Sequence, residues 1–140
     1  MNLAILLSAI AVVESNNNDY AIGRAHEISR YQILPRVWRH YTPSTSYASH
    51  AIATRVALRH ITHILGRLPA RAQNVRGVAV AWNYGLTRFK LVHYNWTACP
   101  QPVIDYANRI HATYIALESR VSAATTVRAS VVGRTAAAVY

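Results

Sequence analysis

The sequence predicts a single, mostly helical α+β domain with a small β-hairpin after its first helix. Apolar residues recur at helical spacing in several segments, and two short β-prone segments flank a polar turn near the N-terminus. A chain of this length can bury about 68% of the surface that its unfolded form exposes, which is enough for one core. We therefore assign residues 1–118 to one domain and residues 119–140 to a tail rich in Ala, Val and Thr, expected to be a loosely attached helix or disordered.

The first predicted helix covers residues 3–14 and is a dense apolar run that ends at Glu14. The polar stretch 15–19 contains three consecutive asparagines, which favour a loop and so end the helix. We interpret the run as a core helix rather than a signal peptide, because it lacks a basic start and cleavage after Ala11 would separate it from Glu14. It is also shorter than the ~18 apolar residues that a membrane span needs.

Local signals predict the remaining elements in order. Turn, cap and periodicity signals predict a hairpin over 20–23 and 29–33, a helix from Pro35 to about His40 and a loop over 42–46. A long helix then begins at Ser46 or Tyr47 and is closed by Gly66 and Pro69, and a shorter one runs from Asn74 to Trp82 with Gly85 after it. One or two further turns over 86–91, a loop over 92–102 and a last helix from about Val103 complete the chain of elements.

Glu14 is the first candidate for chemistry. It lies at a helix C-terminus beside an apolar surface, and both the helix dipole and desolvation disfavour a carboxylate anion there. A glutamate pKa raised from its usual ~4.3 allows the carboxyl group to carry a proton near neutral pH and to give it to a leaving group. The alternative is a helix-end glutamate that only faces water.

Four short motifs follow each other along the chain. They are the pair Glu14-Ser15, the segment from Gly23 through Tyr31-Gln32-Ile33 to Trp38, the turn Ala81-Trp82-Asn83-Tyr84-Gly85, and Tyr106 in the last helix. In this order and at these spacings they resemble the motifs of the lysozyme-like transglycosylase superfamily, over roughly residues 3–117. Three features differ from the family pattern: no glycine stands next to Gln32, Trp82 stands where Tyr is most frequent, and no proline follows Gly85.

The resemblance implies a lysozyme-like fold that cleaves the β-1,4 bond between N-acetylmuramic acid and N-acetylglucosamine, with Glu14 as general acid. It implies no metal or cofactor, and it implies that Tyr106 holds Glu14 in place. The residues that it assigns to substrate binding are Ser15, Tyr31, Gln32, Trp82, Asn83 and Tyr106. From the residue pattern alone, Asn83 is equally a helix-capping residue, Tyr106 is a half-buried aromatic, and Trp38 is a core residue.

Glu27 raises the question of a second catalytic carboxylate. Two carboxylates facing each other across a cleft suit a hydrolase that positions a water molecule. This arrangement resembles that of goose-type lysozymes, which have acidic residues in the hairpin after the helix glutamate. With Glu14 alone, the 6-hydroxyl of the substrate attacks, as in a lytic transglycosylase. The alternative for Glu27 is a turn residue paired with Arg24 or Arg30, and on that ground we favour the transglycosylase.

The chain is strongly basic. It has 15 Lys and Arg against 5 Asp and Glu, for a net charge of +10, and fourteen of the fifteen are arginine. The positive field of such a protein attracts anionic envelope polymers. We expect these polymers as partners in addition to the substrate, which would be peptidoglycan or a related N-acetylated polysaccharide. The arginines are dispersed and no nucleic-acid motif surrounds them, so we do not expect nucleic acid as the partner.

Two other sites are excluded, and a second function stays open. His60 and His63 lack further metal ligands nearby, and Cys99 is expected to be a buried structural thiol. We expect a monomer in the cell envelope or secreted, with no transmembrane segment. The alternative to an enzyme is a catalytically silent basic protein that binds envelope polymers or nucleic acid on the same scaffold.

Overall fold

The computed structural model describes the backbone of residues 1–136 and the side chains of residues 1–125. Over this part the chain is mostly helical, as the sequence predicts. Its helices are α1 (Leu3–Ser15), α2 (Pro35–Tyr41), α3 (His50–Leu65), α4 (Val75–Tyr84), α5 (Leu86–Leu91) and α6 (Gln101–Ala136), with 3-10 helices at Ala70–Ala72 and Trp96–Ala98. No helix of these described residues has the length and hydropathy that a membrane span requires.

The ends of the helices follow from local chemistry. Asn16 ends α1 in the left-handed conformation, with φ of 52°. Asn74 caps α4 by accepting a backbone N–H through its side chain, and Gly85, with φ of 89°, separates α4 from α5. The start of α3 is later than predicted, because Ser49 provides the N-cap through its hydroxyl.

The predicted hairpin does not form as a pair of strands. Residues 20–33 make only two isolated antiparallel bridges, Ile22 with Ile28 and Ile28 with Ile33, and no strand occurs within residues 1–136. The chain turns too often for a ladder, because His26, Ser29 and Gln32 all have positive φ. The segment is therefore a compact series of turns.

The core is built around α6. This helix packs against α1 and α4, and α4 is covered on most of its surface. Trp38 is fully buried, as its helical spacing predicts, and its indole Nε1 donates to the Ser44 carbonyl at 2.8 Å. Cys99 is buried as well.

The backbone of α6 runs without interruption through the predicted boundary between residues 118 and 119. The tail is thus helical as far as Ala136, which is one of the two states expected for it. Residues 137–140 of the predicted tail lie outside the described residues.

The 3-10 helix Ala70–Ala72 packs so closely against α4 that the α4 residue at the contact, Gly77, must be a glycine. A Cβ added at Gly77 would meet the backbone carbonyl of Ala72, whereas one at Gly66 would meet only ordinary contacts at 3.5 Å or more. We expect Gly77→Ala to lower the free energy of unfolding by about 1–3 kcal/mol, although alanine favours helices. Gly66→Ala should leave it unchanged or raise it by about 0.4–1 kcal/mol. Urea unfolding measures both, and equal stability of the two variants would contradict the packing described.

Candidate active site

Glu14 lies in the last turn of α1, where that helix packs against α6. The phenol of Tyr106 on α6 donates a hydrogen bond to Glu14 Oε1 at 2.6 Å, between residues 92 positions apart in the sequence. Tyr106 itself is buried. The orientation of the carboxyl group is therefore fixed by the packing of two core helices.

Burial is the main influence on the pKa of Glu14, and it raises that pKa above the usual value. The hydrogen bond from Tyr106 lowers the pKa, and the neighbouring Trp82 indole acts in the same direction, because both groups stabilise the anion. The negative charge of Glu27 raises it and the positive charge of Arg109 lowers it, both more weakly. The net effect is upward, which is the direction that a proton donor near neutral pH requires.

A cleft of about 260 Å³ opens beside Glu14. Five of the eight predicted site residues line it: Glu14, Glu27, Gln32, Trp82 and Asn83. They come from α1, from the turns after it and from α4. The cleft thus combines carboxyl groups, two side-chain amides and an aromatic ring, which are groups that bind sugars.

The turns after α1 form one wall of the cleft, with Gly23 at the closest approach. A Cβ at Gly23 would collide with the Glu27 carboxylate and the Gln32 amide. Glu27 Oε2 accepts the N–H of Ala25 at 2.9 Å, and Gln32 Nε2 donates to the Ser29 carbonyl at 2.9 Å. These bonds orient both side chains and leave other polar atoms of each for a ligand.

The expected pairing of Glu27 with Arg24 or Arg30 is wrong. The guanidinium of Arg30 pairs with Asp19 at 3.0 Å and contacts His50 Nδ1 at 2.7 Å. Glu27 makes no salt bridge with any residue whose side chain is described. The guanidinium of Arg30 also donates a hydrogen bond to the Asn17 carbonyl, so it is directed toward the loop after α1 and not toward Glu27.

Three predicted substrate-binding residues, Ser15, Tyr31 and Tyr106, lie outside the cleft lining. Ser15 Oγ donates to the Arg30 carbonyl at 2.8 Å and accepts the N–H of Asn18 at 3.1 Å, so it joins α1 to the following turns. Tyr31 is buried, and its hydroxyl lies 3.1 Å from Thr54 Oγ1 on α3. In this structure both side chains support the wall of the cleft. Tyr106 also lies behind the cleft and contacts it through Glu14.

His60 is a cleft residue that the sequence interpretation missed. It lies 5.0 Å from the Trp82 ring, centre to centre, and its Nδ1 is 3.0 Å from the hydroxyl of Tyr41. Burial lowers its pKa to about 4, and the neighbouring His63 and His40 act in the same direction, so the ring is neutral near pH 7. The available signal was its position on the inner face of α3, three residues after the buried Ala57.

Among the described residues, no group of three or more His, Cys, Asp and Glu side chains is arranged to hold a metal ion. Comparison with protein-family models, with curated proteins and with solved structures finds no significant match to this chain. The function must therefore be argued from the site itself.

Removing the phenol that supports Glu14 should change the titration of its carboxyl group. We expect Tyr106→Phe to raise the Glu14 pKa, because the lost hydrogen bond stabilised the anion. Carboxyl ¹³C chemical shifts followed against pH measure this. Tyr114→Phe is the matched control, since this α6 tyrosine donates to Glu118 instead and its loss should leave the Glu14 pKa unchanged. A Tyr106→Phe variant with an unchanged or lower pKa would contradict the assigned role.

Proposed function

We propose that this protein is a lysozyme-like glycosidase that cleaves the β-1,4 bond of peptidoglycan, with Glu14 as the general acid. The observation that carries the proposal is a glutamate with a raised pKa, held by a buried tyrosine at the edge of a cleft lined with amides and an indole. Glycoside cleavage requires such an acid on the leaving oxygen. The order of the sequence motifs supports the same class of enzyme.

The first step is common to transglycosylation and hydrolysis. Glu14 gives its proton to the glycosidic oxygen, the bond between that oxygen and C1 breaks, and positive charge develops at C1. In a lytic transglycosylase, the 6-hydroxyl oxygen of the same sugar then attacks C1, and its proton passes to the Glu14 carboxylate. The products are a 1,6-anhydro sugar and a free 4-hydroxyl group, and Glu14 is again protonated.

The cleft residues have separate roles in this proposal. The amide of Gln32, oriented by its bond to the Ser29 carbonyl, presents its oxygen to an N–H or O–H group of a sugar. The exposed Asn83 offers both a donor and an acceptor from the end of α4. Trp82 packs against His60 and provides an aromatic surface beside the carboxyl group. His60, being neutral, adds no charge next to the acid.

Hydrolysis is the second candidate outcome, and the position of Glu27 favours it. Its carboxylate lines the same cleft as Glu14 and makes no salt bridge with the side chains of residues 1–125. A water molecule between the two groups would attack C1 while Glu27 accepts its proton. Transglycosylation remains our first choice, since it needs Glu14 alone.

The proposal assigns the protein to the cell envelope or its exterior, as a monomer that acts on a polysaccharide and needs no cofactor. The net charge of +10 supports attraction to an anionic wall. The competing function is a silent basic protein that binds walls without cutting them. It would use the same surface, so only a test of bond cleavage separates the two.

Replacing the acid provides that test. We expect Glu14→Gln to fold normally and to lose at least ~10²–10⁴-fold of the rate at which soluble fragments leave purified cell walls, because glutamine has no proton to transfer. Glu118→Gln is the matched control, since Glu118 also accepts a tyrosine hydroxyl at 2.9 Å and lies outside the cleft. Near wild-type release by Glu14→Gln would overturn the proposal, and a wild-type protein that sediments with walls but releases nothing would be the silent binder.

The fragments identify the reaction. We expect 1,6-anhydro ends, which are lighter by roughly 18 Da than hydrolysed ends in a mass spectrum. In that case Glu27→Gln should lose less than about tenfold of the rate, since the residue would not act as a base. Reducing ends together with a large loss in Glu27→Gln would instead identify a two-carboxylate hydrolase.

A further inference from the structure

The cleft beside Glu14 does not end at Trp82. It continues into a basin of about 470 Å³, and the two share Leu34, Val37, His60, Trp82 and Asn83 in their linings. A chain of sugars bound across Glu14 would therefore have room to extend past Trp82 into the basin.

The two ends of this continuous groove differ in charge. The end at Glu14 combines Glu14 and Glu27 with Arg24, whereas the lining of the basin contains Arg36 and Arg88 and no carboxylate. Arg36 is an exposed residue in the first turn of α2. Arg88 is an exposed residue of α5, and its guanidinium lies 5.6 Å from the centre of the Tyr84 ring. The tyrosine packs against the guanidinium and limits its freedom.

Neither arginine has an acidic partner among the residues whose side chains are described. The salt bridges of that part of the chain involve Asp19, with Arg30 and with His50. A guanidinium has planar donors that match a carboxylate, and two such groups in the lining of one basin favour an anionic ligand. Exposed arginines are frequent on basic surfaces, but these two line a basin that is continuous with the cleft of the candidate acid and that has no carboxylate in its lining.

We propose that the basin is a carboxylate-binding subsite, in which Arg36 and Arg88 bind an acidic substituent carried by the glycan strand being cut. This inference rests on the proposed function. In peptidoglycan such carboxylates belong to the peptide stem, or to the lactyl group where the stem has been removed, whereas chitin carries none. The subsite would therefore make the enzyme selective for peptidoglycan over chitin.

The test measures binding rather than cleavage. Calorimetry in the Glu14→Gln background compares three probes: a glycan fragment with peptide stems, the same fragment after an amidase has removed the stems, and a chitooligosaccharide of equal length. We expect Arg36→Gln/Arg88→Gln to weaken binding of the stem-bearing fragment by about five- to tenfold and to leave chitooligosaccharide binding unchanged. A loss confined to the stem-bearing fragment assigns a carboxylate of the stem, and a loss that is also found with the stem-free fragment shows that the subsite accepts the lactyl carboxylate which the amidase has freed.

The matched control is Arg55→Gln/Arg120→Gln, which removes the same charge from two exposed positions outside the groove. It should bind all three probes like its parent. Equal weakening by both double variants would show a general effect of net charge and would overturn the subsite. No weakening by Arg36→Gln/Arg88→Gln, or no binding of the stem-bearing fragment by the parent, would overturn it as well. If wild-type protein cuts no glycan while the selective loss of binding is found, the proposed activity fails and the subsite stands.

Discussion

The hydrogen bond from Tyr106 to Glu14 is the interaction on which the rest of the site depends. A carboxyl group that is largely withdrawn from water is costly unless a donor satisfies it, and the phenol supplies that donor at 2.6 Å. The bond exists only because α1 and α6 pack directly against each other. The packing of α1 against α6 therefore determines the orientation of the Glu14 carboxyl group, its pKa and its position at the edge of the cleft.

The wall opposite α4 is made rigid without a sheet. Ser15 Oγ holds the Arg30 carbonyl, and Arg30 in turn holds Asp19 and the Asn17 carbonyl. These bonds fasten the turns to the end of α1, so that the side chains of Glu27 and Gln32 have defined positions. Gly23 permits their close approach because it has no Cβ.

The charged side chains are distributed unequally between the two ends of the groove. The carboxyl groups of Glu14 and Glu27 lie at one end together with the guanidinium group of Arg24, and the guanidinium groups of Arg36 and Arg88 lie at the other end without a carboxylate. His60 and Trp82 lie between them, and the histidine is neutral near pH 7. In a chain with so large an excess of arginine, the rarity of carboxylates makes this local arrangement more informative than the net charge.

The sequence by itself determined most of the helices and several of their ends, because those depend on residues a few positions apart. The asparagines after α1, the Asn74 cap and the Gly85 break act locally, and the burial of Trp38 follows from helical spacing. The motif order also brought Glu14, Gln32, Trp82 and Asn83 forward as candidates for one site.

Only the tertiary structure decided which side chains meet. It brought His60 into the cleft, Tyr31 against Thr54 and Arg30 to Asp19, and it contains the contact of Tyr106 with Glu14 that only the family resemblance had implied. It also replaced the expected hairpin with turns. Most of these contacts join residues far apart in the chain, and local propensities carry no information about the packing that creates them.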